Sequence, residues 1–235
     1  MSLTKSKGNM YPWVTHTHSH IAGKCSHECS YCYVQSMAAR FPVMKEKYSG
    51  LIRLTEDALM VDYGSGKTIF IDHLNDLWAD AVPDEWILNV LEHCGKYGDN
   101  TYVFQTKNPK RYLNWLDWFP RNCILGCTIE TNSTQTAKHV SCAPSPIERT
   151  AAMSKMSQYG FRTFVTVEPI LDLDPSALVA MLRAIKPEFV NIGADSKKSD
   201  LQEPSADVVR ELIDQIEAAG IEIREKHNLE RLLKC

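Results

Sequence analysis

Three of the eight cysteines in this 235-residue chain fall within one stretch, KCSHECSYCY: Cys25, Cys29 and Cys32, spaced C-x3-C-x2-C. Thiols gathered this tightly in a single chemical neighbourhood point to metal binding. The others, Cys94, Cys123, Cys127, Cys142 and Cys235, are unevenly scattered, which suits small buried hydrophobes or surface thiols rather than a disulfide scaffold. A closed structural zinc site takes four tetrahedral ligands. The trio would then recruit His27, or one of His16, His18 and His20, whose period of two places them on one face of a strand. An iron-sulfur cluster is also held by thiolates, normally four, and three leave one iron open to another ligand. On spacing alone both readings stand.

A metal loop needs a scaffold, and from residue 68 onward the chain repeats a rhythm of short β-branched run, turn and helical pattern. KTIFID precedes the helix PDEWILNVLEHCGKY; TYVFQT precedes PKRYLNWLDWF; NCILGCTI precedes a polar loop and then PIERTAAMSKMSQYG. FRTFVTV precedes PSALVAMLRAI, EFVNIGA precedes PSADVVRELIDQIEAAG, and IEIRE precedes NLERLLKC. With an earlier strand in WVTHTHSHI, this predicts an α/β fold, a partial (β/α) barrel of about six to seven parallel strands with outer helices. No linker divides it, so one domain over residues 1–235 is expected. Its cysteine loop covers about 22–36, and the C-terminal segment, about 220–235, closes the barrel. The polar connection at 132–145, NSTQTAKHVSCAPS, reads as a lid or substrate loop.

In such barrels the reactive groups gather at the carboxyl ends of the strands. Those ends carry Asp72, His73, Asn75 and Asp76, then Gln105 and Lys107, then Thr128 and Glu130, then Glu168, then Gly193 and Asp195, and finally Glu225 and Lys226. Glu168 lies between apolar runs in VTVEPIL, where a carboxylate without a partner would be costly, so it should have one. Lys107, Lys110 and Arg111 form a basic cluster that could meet a phosphate or simply a solvated helix start. Trp13, Trp78 and Trp86 could stack on a base, although tryptophan is more often core.

The motif formed by Cys25, Cys29, Tyr31 and Cys32, with its aromatic before the last cysteine, resembles the cluster motif of the radical S-adenosylmethionine superfamily. CSHECSYCYVQS followed by KYSGLIRL looks like the spore photoproduct lyase branch and its small phage-type relatives, and the likeness of organisation runs over roughly residues 20–195. The resemblance implies a [4Fe-4S] cluster held through three irons, with S-adenosyl-L-methionine chelating the fourth. One electron from a flavodoxin- or ferredoxin-type donor would cleave the sulfonium to methionine and a 5′-deoxyadenosyl radical, which abstracts hydrogen from substrate. Such an enzyme is of lyase or oxidoreductase type. Its substrate here is left open among a small molecule, a nucleotide and a nucleic-acid base.

By the same resemblance Tyr31 and Tyr33 would lie along the cofactor's adenine and methionine portions. Asn75 and Asp76 match a Ser-Asp pair that receives the methionine amino group. Lys107 and Thr128 match a lysine and a small hydroxyl residue near the cofactor carboxylate and ribose, and Glu168 sits at a matching strand end. Two departures stand out: FIDHLND lacks the superfamily's frequent Gly-Gly-Glu, and it contains no counterpart of the lyase's hydrogen-donating cysteine. Cys127, next to Thr128, is expected to point to the other side of the sheet. The rival from another class is a non-catalytic binding module stabilised by zinc on the cysteine trio and one histidine.

Composition narrows the partners. Hydrophobic residues make up 44% and charged residues 23%, which excludes fibrous and disordered classes, and a net charge of -3 argues against a protein that coats nucleic acid. The apolar runs are too short for a membrane span and MSLTKSKGNM has no signal-peptide core, so a cytoplasmic protein without membrane partners is expected.

Overall fold

The computed structural model describes residues 3–196, 199 and 201–234. In chain order its strands are β1 (Thr4–Lys5), β2 (His16–His18), β3 (Ile21–Ala22), β4 (Arg53–Leu54), β5 (Thr68–Ile71), β6 (Thr101–Thr106), β7 (Cys123–Thr128), β8 (Arg162–Val167), β9 (Phe189–Ile192) and β10 (Glu222–Glu225). The helices are α1 (Tyr33–Arg40), α2 (Pro42–Tyr48), α3 (Asp84–Gly95), α4 (Thr134–Val140), α5 (Pro146–Gln158), α6 (Pro175–Ile185), α7 (Ala206–Ala218) and α8 (Glu230–Leu233). The start signals are chemical. Ser145 and Glu148 form a reciprocal capping box on α5, Asp174 caps α6 through Ala177 N, and Ser205 caps α7 through Val208 N.

One sheet runs β1-β2-β5-β6-β7-β8-β9-β10, and every pairing from β2 to β10 is parallel, with only β1 antiparallel at the edge. Seven parallel strands wrapped by helices form the expected partial barrel. Burial of both sheet faces explains why these strands read as nearly continuous apolar runs. Phe70, Val103, Ile124, Phe164 and Phe189 face the barrel interior. Their neighbours Ile71, Phe104, Leu125, Val165 and Val190 face the helices in the larger core. Gly126 serves the interior, since a Cβ there would lie 2.2 Å from the Phe164 ring.

The sheet's two ends, β1 and β10, are not paired with each other. Residues 9–14 fill that side: Tyr11 and Trp13 stack at 5.4 Å and pack among the inward phenylalanines. From β10 the Arg224 guanidinium lies 3.4 Å from the Phe189 ring centroid and 5.7 Å from that of Trp13. Closure therefore uses the N-terminal segment together with the C-terminal one.

Two expectations need correction. PKRYLNWLDWF is not an α-helix; Pro109–Asn114 is a 3-10 turn, and Tyr112 and Trp115, three residues apart, both pack into the core at the spacing of such a turn. The connection at 132–145, read as a lid or substrate loop, is not irregular chain throughout. It contains α4, whose Ala137 and Val140 are buried. Among the described residues no helix is long and apolar enough to cross a membrane.

Candidate functional site

The three cysteines occupy the loop between β3 and α1, beyond the carboxyl end of the first parallel strand. The chain reaches the loop through Gly23, at φ +87°, where a Cβ would lie 2.2 Å from Leu51 O. Gly23 N donates to Lys47 O at 2.8 Å and Lys24 N to Gly50 O at 3.0 Å, so the α1–α2 hairpin folds back along the loop's entrance. Burial, followed by the nearby Asp76, pushes the Cys25 thiol up to about 12, and burial raises Cys32 as well. Both are therefore thiols at neutral pH, and metal binding would release their protons. Among the described residues no three His, Cys, Asp or Glu side chains stand ready to hold a metal. The loop gathers the thiols without converging them.

Its frame is better defined. Asp76, at the end of β5, accepts from His27 Nε2 at 2.8 Å, Thr106 Oγ1 at 2.9 Å, Lys107 N at 2.9 Å and Trp78 N at 2.9 Å. Burial alone would raise this carboxyl, but the His27 charge and these hydrogen bonds outweigh it and hold it below its ordinary value. Asn75 donates to Gly23 O at 3.0 Å and accepts from Asp76 N at 2.9 Å. In this structure the pair that the resemblance assigned to an amino group braces the first half of the cysteine loop, Asn75 at Gly23 and Asp76 at His27. From the opposite side, the segment after α4 docks on it: Cys142 N donates to His27 O at 2.8 Å, Ser30 N to Val140 O at 2.9 Å, and Ser141 Oγ lies 3.2 Å from Cys29 Sγ.

Tyr31 joins the loop to a buried ionic network. Its hydroxyl donates to Glu130 Oε1 at 2.7 Å and accepts from Lys107 Nζ at 2.5 Å. Lys107 also reaches Glu130 Oε1 at 3.2 Å, while Arg149 of α5 donates to Glu130 Oε2 at 2.6 Å and to Thr128 O at 3.0 Å. Glu130 and Arg149 are both fully buried. Burial pushes Glu130 up, yet Lys107 and Arg149 more than compensate and hold it at about 2. Two cations thus face one carboxylate, and Arg149 Nη2 is buried without a hydrogen-bond partner among the described residues. Sequence reading passed over Arg149, because an arginine in an amphipathic helix is ordinarily a surface residue.

Across the barrel mouth, Glu168 has the partner its setting demanded. Its Oε2 pairs with Lys226 Nζ at 2.9 Å, and its Oε1 accepts from Asn9 and Asn228 Nδ2, each at 3.1 Å. Between the two carboxylates lies a polar layer across the barrel: Tyr11 OH bonds Gln105 Oε1 at 2.8 Å and Thr166 Oγ1 at 2.7 Å, and Gln105 Nε2 donates to Thr128 Oγ1 at 3.0 Å. Thr128 thus lies on the mouth's floor, while Cys127 packs in the helix-facing core as expected. Tyr33 OH donates to His73 O at 2.6 Å, fixing the start of α1 to the end of β5.

The remaining candidates are spent on structure. His20 bonds Asp72 Oδ2 at 3.1 Å and Tyr63 OH at 2.9 Å, and His18 Nε2 bonds Ala58 O at 3.0 Å. Burial lowers His18 to about 4. These histidines form a buried cluster with His93 rather than a fourth metal ligand, and Nε2 of His27 is taken by Asp76. Arg111 donates to Ala79 O at 2.6 Å and Val82 O at 2.8 Å, pinning a loop; Lys110 lines a cavity of about 290 Å³. Trp78 is core against Tyr112 and Phe104, and Trp86 packs against the same core.

The donor set fits an iron-sulfur cluster with an open iron: three thiols lie in one loop, the histidines His18, His20 and His27 are already engaged by protein partners, and a surplus of positive charge at Lys107 and Arg149 suits an anionic group; Cys142, on the segment docked against the loop, is a further free thiol. A variant of spore photoproduct lyase matches this fold with a TM-score of 0.67 at 13% identity, covering 95% of this chain and 80% of that one. Another variant, solved with AdoMet and dinucleoside spore photoproduct, matches at 0.59 and 14% identity over 88% of this chain and 62% of that one. SuiB of Streptococcus suis bound to S-adenosylmethionine matches at 0.57 and 9% identity over 89% and 50%. These likenesses show a shared fold. No curated protein matches the sequence. The family model described as protein of unknown function, DUF5131, matches residues 9–227, and the chain belongs to that family.

Proposed function

We propose that this protein is a radical S-adenosylmethionine enzyme in which Cys25, Cys29 and Cys32 hold a [4Fe-4S] cluster. The observation that carries the reading is the cysteine motif in the loop beyond the first parallel strand of a partial barrel, the fold shared with a lyase solved with AdoMet. When bound, the cluster and S-adenosyl-L-methionine supply reductive cleavage to a 5′-deoxyadenosyl radical. The chain supplies position and shelter. Lys107, with Arg149 behind it, offers the cation for the methionine carboxylate; Thr128 and Gln105 offer hydrogen bonds at the mouth; Tyr31 and Tyr33 line the loop side. Asn75 and Asp76 act by bracing the loop, in place of the direct amino-group contact that the resemblance implied. Glu168 stands across the mouth, where a substrate would enter. That substrate is a small molecule, a nucleotide or a nucleic-acid base, and the electron comes from a flavodoxin- or ferredoxin-type donor.

The test is anaerobic reconstitution with iron and sulfide, reduction with dithionite and addition of S-adenosylmethionine. A brown protein that yields 5′-deoxyadenosine is the expected result. A colourless protein that holds zinc and yields none sinks the reading and favours the binding module.

A further inference from the structure

The segment that follows α4 reaches the cysteine loop through a side chain. Ser141 is buried, and its Oγ lies 3.2 Å from Cys29 Sγ and 3.1 Å from His27 O, while accepting from Ala143 N at 3.1 Å. A hydroxyl carries one hydrogen, so it can serve the sulfur or the carbonyl, not both. His27 O already accepts from Cys142 N at 2.8 Å. A thiol at Cys29 could itself donate to Ser141. A metal-bound thiolate has no hydrogen to give and carries negative charge, and charge-assisted hydrogen bonds are roughly twice as strong as neutral ones.

We propose that Ser141 is a positioning residue that donates its hydroxyl hydrogen to Cys29 Sγ in the cluster-loaded protein and thereby raises the cluster's reduction potential. The inference rests on the iron-sulfur reading above. Reduction moves one electron from the external flavodoxin- or ferredoxin-type donor onto the cluster, and the added charge spreads onto its sulfurs. A donor aimed at one sulfur stabilises the reduced form more than the oxidised form, and hydrogen bonds to the sulfurs are among the groups that set such potentials. The contact has a fixed base. Ser30 N, directly after Cys29, donates to Val140 O at 2.9 Å, directly before Ser141. The two backbones therefore hold sulfur and hydroxyl in register, and this gives α4 and its following turn a purpose that their polar sequence does not suggest.

The experiment compares the reconstituted parent with Ser141→Ala and Ser141→Thr by potentiometric titration followed by electron paramagnetic resonance. The expected result is a more negative midpoint in Ser141→Ala, at unchanged iron content, and recovery toward the parent value in Ser141→Thr. An unchanged midpoint in Ser141→Ala overturns the proposal. Should that variant lose its cluster, the parent itself decides: resonance Raman in deuterated solvent should shift an Fe–S(Cys) stretch, and a parent spectrum insensitive to deuteration overturns the proposal. A parent that never loads iron and sulfide, by contrast, removes the radical reading itself, which separates the two failures.

Discussion

Glu130 and Glu168 stand just beyond neighbouring strands, and each meets a lysine, yet their surroundings differ sharply. Glu130 is fully buried between Lys107, Arg149 and the Tyr31 hydroxyl. The Glu168 side chain keeps 16% of its exposure, its Lys226 partner 11%, and two asparagines share its remaining oxygen. A buried pair pays heavy desolvation, so removing one member leaves an uncompensated charge, whereas a wetted pair can relax into solvent. The first carboxylate therefore belongs to the frame of the cysteine loop. The second belongs to the mouth, where it remains reachable by a bound molecule.

Glu130→Ala tests that division most severely. It strands Lys107 and Arg149, and the expected loss in unfolding free energy is about 3–5 kcal/mol, read from urea denaturation. A loss no greater than that of a substitution at Glu168 breaks the comparison.

Acid sharpens it. Glu130 is held at about 2 in the folded chain, against an ordinary value of 4.5. A depressed carboxylate contributes stability that is fully present above its unfolded value and lost as pH falls through its folded value. A shift of this size is worth about 3 kcal/mol, so the stability gap between the parent and Glu130→Gln should hold steady above pH ~4.5 and shrink steadily from there toward pH ~2. A gap that stays constant down to the acid limit contradicts the low value.

Asp76→Asn comes next. It keeps the shape but weakens the bonds to His27 Nε2, Thr106 Oγ1 and Lys107 N, with an expected cost of about 1.5–3 kcal/mol. Because His27 sits inside the cysteine loop, amide exchange over residues 25–32 should accelerate along with the loss of stability. Unchanged exchange there would mean that Asp76 does not brace the loop.

Much of the fold was legible because short β-branched and aromatic runs set between helical patterns are a local signal. TYVFQT and NCILGCTI each carry inward and outward side chains in the order the barrel uses. Burial logic also required a partner for Glu168, but nothing local singled out Lys226, which lies 58 positions further along the chain and pairs only through the barrel's closure. Asp76 was legible as a site residue but its partner was not, and Arg149 was passed over altogether, for the same reason. Each is explained by a residue distant in sequence, His27 and Glu130 respectively, and neither pairing leaves a mark on helical or strand periodicity. The helix α4 hid because Thr134–Val140 buries only Ala137 and Val140, too thin a stripe to read as amphipathic. The α1–α2 hairpin escaped notice because it is an excursion between β3 and β4, outside the strand-helix rhythm.

The smallest effect is expected at Glu168. Glu168→Gln keeps an oxygen for the Asn9 and Asn228 donors but replaces the charged acceptor facing Lys226 with an amide NH2, while Lys226 Nζ retains Asn9 O at 2.5 Å. Because both partners are partly wetted, water can take up the lysine's lost interaction, and the expected change in stability is about 1 kcal/mol or less. Among the described residues none of the hydrogen bonds of Glu168 reaches the cysteine loop, so exchange over residues 25–32 and iron content should match the parent, in contrast to Asp76→Asn. On the proposed radical function, a carboxylate that serves the substrate side predicts that Glu168→Gln keeps S-adenosylmethionine cleavage while the coupling of cleavage to product formation falls. Faster exchange in the cysteine loop of Glu168→Gln would instead join the two sides of the mouth into a single frame, and the contrast between the carboxylates would then be one of degree.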